Sequence, residues 1–309
     1  MSTSSESKSC ALVGSGPPIL VIGATGSTGS ETVRLLIEKG SAVRALTRDL
    51  ARAATLPELQ RAEIVLGDSS RPETLGDVFA GIEKLYLVPP TLPAWDRVQL
   101  GLIETARKAG VKHVVRLSAI GVSADAPSMS SSFHWQGERA LEQSGMAFTH
   151  VRANSFFQNC LLDAPTIKHE GRFYSCVGGT RFAKVDTRDI ATVAAAALTE
   201  EGHAGQTYEV TGPEALTYVD MADRLSRALG REIEYVDLSN DLYEQHLLET
   251  GLPEWLAREF VVIYGRGFYP ESRGNYVTDT VERLTGRAPR TFDHFARDYA
   301  AAFQSNPSS

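Results

Sequence analysis

Residues 19–29 read Ile19-Leu20-Val21-Ile22-Gly23-Ala24-Thr25-Gly26-Ser27-Thr28-Gly29. Four consecutive large aliphatic side chains stopped by glycine mark a strand buried on both faces, as in a parallel sheet. The glycine turn leads into residues 27–39, where Val33, Leu36 and Ile37 recur at helical spacing and Gly40 supplies the stop. Strand, glycine turn and helix in this order form the first half of a βαβ unit. A diphosphate must approach the backbone closely, so glycines line its turn, and the free N–H groups and dipole of the helix start attract its charge. Gly23, Thr25, Gly26, Ser27, Thr28 and Gly29 are therefore read as a dinucleotide phosphate loop.

Outward from this unit the alternation continues. Short apolar runs at 42–46, 64–66, 84–88, 113–117 and 148–152 predict strands, and helical spacing predicts helices over 72–79, 95–109 and 132–143. Short connections between alternating strands and helices predict an α/β fold, a Rossmann-type doubly wound parallel sheet. Past residue 155 the pattern loosens into a helix over 189–200, strands at 206–210 and 232–236, a helix over 218–229 and further helices beyond 239. The expected organisation is a disordered tail at 1–17, a dinucleotide-binding domain at 18–155, a smaller C-terminal α/β substrate lobe at 156–303 interleaved with the sheet, and a flexible end at 304–309.

Composition narrows the class. The 309 residues are 42% hydrophobic and 22% charged with a formal charge of −7, which is globular and offers no basic excess for nucleic acid. No run approaches the length of a membrane span, and 1–17 lacks the charged start and apolar run of a signal peptide. Cys10, Cys160 and Cys176 are isolated, with no paired spacing for a metal or a disulfide framework. The expectation is a cytoplasmic, metal-free monomer or homodimer acting on a small molecule.

In a doubly wound sheet the ligand lies beyond the C-terminal strand ends. After the second strand come Thr47-Arg48-Asp49, with Arg48 19 positions past Gly29, against an expected spacing of about 20 for the ribose-reading residue. A guanidinium there suits a 2′-phosphate, which points to NADP(H) rather than NAD(H), while Asp49 reads as a helix cap. Asp68 is read either as an adenine contact or as a turn residue. Val88, Pro89 and Pro90, with Thr91, predict a lip over the cofactor, and Ser118 and Asn154 are placed at its nicotinamide end. Trp95, His134, Trp135, Phe156 and Phe157, together with Pro90, are candidate walls of an aromatic substrate pocket, with core packing as their alternative.

The glycine turn, Arg48 and several later segments resemble the NmrA-like family of atypical short-chain dehydrogenases. Those segments are Gly67-Asp-Ser-Ser-Arg-Pro-Glu-Thr-Leu75, Ala109-Gly-Val-Lys-His-Val-Val-Arg-Leu-Ser118, Val185-Asp-Thr-Arg-Asp-Ile-Ala191, Gly205-Gln-Thr-Tyr-Glu-Val-Thr-Gly-Pro213 and Leu284-Thr-Gly-Arg-Ala-Pro-Arg-Thr-Phe292. The resemblance implies a Rossmann domain with a small C-terminal lobe. It implies either an NAD(P)H-dependent reductase of quinones, azo dyes or triphenylmethane dyes, or a regulator that senses NADP and binds a protein partner. Typical short-chain dehydrogenases also place Ser, Tyr and Lys at the nicotinamide, with Tyr and Lys four apart on one helix. Ser118 holds the serine position, but the helix carries His134 and Glu138 instead. Four apart, the two share a helix face, so Glu138 pairing with His134 would raise the imidazole pKa and make it an acid; a purely structural hydrogen bond is the alternative. The catalytic candidates are Ser118, His134 and Glu138. Hydride delivery to a quinone or iminium asks little of an acid, so positioning alone also suffices.

Overall fold

The computed structural model describes residues 14–90, 92–265 and 274–304. The first part of the chain runs β1 (Ser15–Ile22), α1 (Ser27–Glu38), β2 (Ser41–Thr47), α2 (Leu50–Ala54), β3 (Glu63–Leu66), β4 (Lys84–Leu87), α3 (Trp95–Lys108), β5 (His113–Ala119), α4 (Met129–Gln143) and β6 (Ala147–Ala153). It continues through α5 (Ala164–Glu170), β7 (Arg172–Ser175), α6 (Thr187–Thr199), β8 (Gln206–Val210), α7 (Tyr218–Leu229), β9 (Glu234–Asp237), α8 (Asn240–Glu249) and α9 (Glu254–Tyr264). α10 (Thr280–Thr285), α11 (Phe292–Asp298) and α12 (Ala300–Phe303) complete it.

The main sheet has the order β3-β2-β1-β4-β5-β6-β8, with every pairing parallel. The chain leaves β1 toward one edge and returns at β4 toward the other, which opens a crevice above the C-terminal ends of these two strands. Both faces of the sheet are covered, which explains the unbroken apolar runs. Val33, Leu36 and Ile37 of α1 and Ile190, Val193 and Leu198 of α6 seal one face, and Leu102, Ile103 and Leu141 from α3 and α4 seal the other. Buried Ala194, Ala195 and Ala197 give α6 a small-residue surface where it meets α1. A separate core, built on Phe157, Phe173, Met221, Leu225, Phe292 and Phe295, holds the C-terminal lobe.

Strand β8 extends the main sheet beyond β6. Four details differ from the sequence reading. Strand β1 starts at Ser15, not at Ile19; Ser15 pairs with Ser41, and the register shifts before Ile19, where Pro17 and Pro18 have no N–H to donate. The expected helix over 72–79 is two 3₁₀ turns, Pro72–Thr74 and Gly76–Phe79, since Gly76 interrupts it. Helix α4 starts at Met129, upstream of the expected 132, where Ser128 caps it by accepting from Ser131 N–H. Strand β9 does not continue the main sheet; it pairs with β7, which the sequence reading missed, in a second parallel sheet of two strands. The expected tail is described only from Gly14, and residues 1–13 and 305–309 of the two expected termini lie outside the described residues.

Candidate active site

The start of α1 is built for close approach. A Cβ on Gly29 would stand 2.0 Å from the Gly23 carbonyl oxygen, so only glycine lets α1 press onto its own entry turn. Gly23 adopts φ +85°, and a Cβ there would meet Val88 at 2.8 Å. Gly26 caps α1 with no side-chain hydrogen bond, and no acidic residue lies in the first turn. The free N–H groups at this end are therefore open to an anion. Arg48 is exposed just past β2, and the Arg52 guanidinium donates to the Thr25 carbonyl at 3.3 Å, so two cations flank the loop. Asp49 accepts from Arg52 N–H at 2.9 Å and caps α2. Its carboxylate is thus committed to the helix, as the cap reading expected. Glycine turn, uncapped helix start and flanking guanidinium groups together suit a dinucleotide diphosphate with a phosphorylated ribose. Asp68 accepts from both Ser70 N–H (2.9 Å) and Ser70 hydroxyl (2.7 Å), and these bonds hold its carboxyl below the usual range. These bonds show its part in the turn.

From Gly26, Ser27 and Thr28 a cavity of about 820 Å³ runs across the switch point to the C-terminal lobe. Val88, Pro89, Ser118 and Asn154 line its middle, with Trp95, His134 and Phe156 beside them. Its far wall is Phe182, Trp255, Leu256, Phe260, Ile263 and Tyr264. The structure thus gathers ten of the residues singled out from sequence along one cavity. Gly23, Thr25, Gly29, Arg48 and Asp68 stand outside this cavity wall, on the loop side. Three expected pocket residues do not line it: Pro90, Trp135 and Phe157. Phe157 packs against Phe292 and Phe295 in the lobe core, with ring centroids at 5.2 and 5.8 Å, so core packing won. Trp135 follows His134 on α4, and the one-residue step turns it to another face. Thr91 lies outside the described residues.

Beneath the cavity sits a dry ionic network, and it corrects the expected pairing of His134 with Glu138. The Glu138 carboxylate is fully buried. It accepts from Ser118 hydroxyl at 2.7 Å and from the Arg152 guanidinium at 2.9 and 2.6 Å. Burial pushes its pKa up, but Arg152 and Ser118 outweigh that and hold it below the ordinary value. His134 instead meets buried Arg116, whose Nη2 lies 3.1 Å from His134 Nδ1. A guanidinium only donates, so Nδ1 accepts and the ring proton sits on Nε2. Burial first, then the Arg116 charge, depress the imidazole pKa well below its ordinary value rather than raising it. Arg116 also donates to Gln99 Oε1 at 2.5 Å. A Cβ on Gly137 would stand 2.3 Å from that Gln99 oxygen, so this glycine makes room for the pair. Glu138, Glu142 and His150 bring ligand-type atoms within 4.8 Å of one another. Glu138 is held by Arg152 and Ser118, and Glu142 is held by Arg139, so both carboxylates already have cationic partners.

The sequence reading expected a substrate lobe but named none of its site residues beyond Phe156 and Phe157. Glu259 of α9 reaches across to accept from Met129 N–H (3.1 Å), Ser130 N–H (2.8 Å) and the Ser130 hydroxyl at the start of α4. This strap ties the far wall to the helix that carries His134. Asn154 behaves similarly: its amide donates to the Gly274 carbonyl at 2.9 Å, fastening a distant segment to the end of β6. The Val185–Ala191 segment is structural here, with Asp186 capping α6 and bridged by Arg188, and Asp189 bound by Arg290. No helix among the described residues is long and apolar enough to cross a membrane.

Comparison with known proteins agrees with this architecture. Residues 17–266 match the sequence model of the NmrA-like family. An NAD(P)H azoreductase from Xenophilus azovorans is 39% identical over 285 residues, 92% of this chain and 99% of the relative. A (4-alkanoyl-5-oxo-2,5-dihydrofuran-3-yl)methyl phosphate reductase from Streptomyces griseus is 35% identical over 92% of this chain and 99% of its own length. The crystal structure of an NADPH-dependent quinone oxidoreductase from Escherichia coli, complexed with NADPH, superimposes with a TM-score of 0.78 at 26% identity, covering 91% of this chain and 99% of that one.

Proposed function

The chain belongs to the NmrA-like family, and we propose that it is an NADPH-dependent oxidoreductase that passes hydride to a flat, conjugated acceptor of the azo, quinone or enone class. One observation carries the reading. A single cavity connects the anion-ready start of α1 with an aromatic wall from the lobe, so a dinucleotide seated on the loop would bring its far end beside a pocket for a planar molecule. The names of the relatives support it. An azo group and an unsaturated oxo-dihydrofuran are both electron-poor, planar targets for hydride.

The residues take their parts from the geometry. Gly23, Thr25, Gly26, Ser27, Thr28 and Gly29 would hold the diphosphate through backbone N–H groups. Arg48, assisted by Arg52, would hold the 2′-phosphate and set the preference for NADPH over NADH. Val88, Pro89, Ser118 and Asn154 would border the nicotinamide, which supplies the hydride when bound. Ser118 directs its proton to Glu138, so it faces the cavity as an acceptor, and Glu138 acts on the site through Ser118. His134, neutral and protonated on Nε2, orients the acceptor as a hydrogen-bond donor and does not release a proton as an imidazolium. Trp95, at 4.7 Å edge-on to His134, and Phe156 supply flat apolar surface that excludes water.

The test is turnover. With NADPH and a panel of azo dyes, quinones and enones, the purified protein is expected to consume NADPH in step with acceptor loss. Tight NADPH binding without consumption across the panel would return the chain to the sensor reading.

A further inference from the structure

Hydride addition to a conjugated double bond leaves an electron pair on the far heteroatom, and that atom needs a hydrogen bond and then a proton. Ser118 and His134, the cavity-lining pair among the candidates read from sequence, are poorly suited to give up that proton. The Ser118 hydrogen is engaged by Glu138 at 2.7 Å, and His134 is held neutral by burial and Arg116. The far wall offers a phenol. Tyr264, at the end of α9, lines the cavity with Ser155 and Asn159. Its hydroxyl lies 2.5 Å from Ser155 Oγ and accepts from Asn159 Nδ2 at 3.3 Å. Ser155 follows Asn154 at the end of β6, so this group meets the cavity at the crevice where the sheet ends. The ring is clamped by Phe182 at 6.0 Å, by Phe260 at 5.7 Å and by buried Lys184, whose Nζ lies 5.2 Å from the ring centroid. A phenol fixed this firmly in a mostly apolar wall is preorganised to donate.

We propose that Tyr264 hydrogen-bonds the acceptor heteroatom and protonates it, with Ser155 and Asn159 as positioning residues; this rests on the oxidoreductase reading above. The balance is simple. Hydride, carrying two electrons, forms the new bond to the electron-poor atom of the acceptor. The π pair moves to the conjugated heteroatom. The Tyr264 O–H bond breaks, its proton joins that heteroatom, and the phenolate recovers a proton from solvent water. The reduced acceptor leaves neutral, and the cofactor leaves oxidised. The device replaces the missing tyrosine of α4 with one from the C-terminal lobe, so the lobe becomes part of the chemistry as well as part of the wall.

Tyr264→Phe keeps the ring and its packing, so the fold should survive; calorimetric NADPH affinity within about twofold of wild type checks that. Two readouts follow. The first is single-turnover reduction of an acceptor by NADPH, expected to slow by roughly 100-fold or more, with the solvent deuterium isotope effect of the wild type abolished. The second needs no turnover: the carbonyl stretch of an enone bound beside NADP+ is expected to shift down in the wild type, and not in Tyr264→Phe. Ser155→Ala is expected to lie between the two in both readouts. Unchanged rate and unchanged carbonyl shift in Tyr264→Phe overturn the role. A wild type that reduces no acceptor refutes the oxidoreductase reading by itself, and the carbonyl shift then still decides whether Tyr264 donates. A wild type that reduces the acceptor yet shows no carbonyl shift overturns the Tyr264 role and leaves the oxidoreductase reading standing.

Discussion

On the proposed reading, Arg48, one side chain at a strand end, selects the cofactor. It stands exposed past β2 while Asp49, the residue that would favour an unphosphorylated ribose, is spent as the cap of α2. Arg48→Ala should weaken NADPH by roughly 30-fold, as expected for loss of a charge-assisted pair, and leave NADH nearly unchanged; titration calorimetry with both nucleotides reads this directly. Glu138 is the opposite case, a charge fully out of water. Glu138→Ala would strand Arg152 and release Ser118, costing about 3 kcal/mol or more, visible as a lower urea midpoint. Its position was legible in the sequence and its partner was not. The four-residue step from His134 to Glu138 says that they share a face, yet Arg116 and Arg152 come from neighbouring strands, and no local pattern shows that their guanidinium groups intervene.

At the scale of elements, the strand-turn-helix at β1 and α1 was readable because each of its requirements is local: an apolar run, glycines at fixed offsets, a helical stripe. Gly29→Ala puts a methyl 2.0 Å from the Gly23 carbonyl. It should destabilise the protein by about 3 kcal/mol and abolish dinucleotide binding, whereas Gly76→Ala, where an added Cβ meets nothing within 4 Å, serves as the tolerant control in the same melts. Elements whose partners lie far along the chain were harder. The pairing of β7 with β9, and the strap from Glu259 of α9 to the start of α4, join segments separated by dozens of residues. Amphipathic spacing shows that α9 is a helix, not that its polar residue caps another one. Phe156 and Phe157 make the same point within two residues: one lines the cavity and the other the lobe core.

For the whole molecule, three imidazoles, His150 buried and His113 and His134 partly so, tie stability to pH. Burial lowers His113 and His150 to about 4 and, with Arg116, holds His134 well below its ordinary value. The unfolded chain takes up these protons near pH 6.5 while the folded one resists, so more protons are bound unfolded than folded in between. Stability should therefore be flat above about pH 7 and fall steadily from about pH 6.5 toward pH 4, measured as the urea midpoint across that range. The same compact frame sets the chemistry, because one cavity joins the loop, the crevice and the lobe. The direct test of hydride transfer is isotopic: NADPH carrying deuterium at the transferable nicotinamide position is mixed in single turnover with the protein and a conjugated enone, and the product is weighed. The prediction is one deuterium on a carbon of the product for each cofactor oxidised. Labelled cofactor recovered intact from the complex, or a product formed without the label, would contradict it.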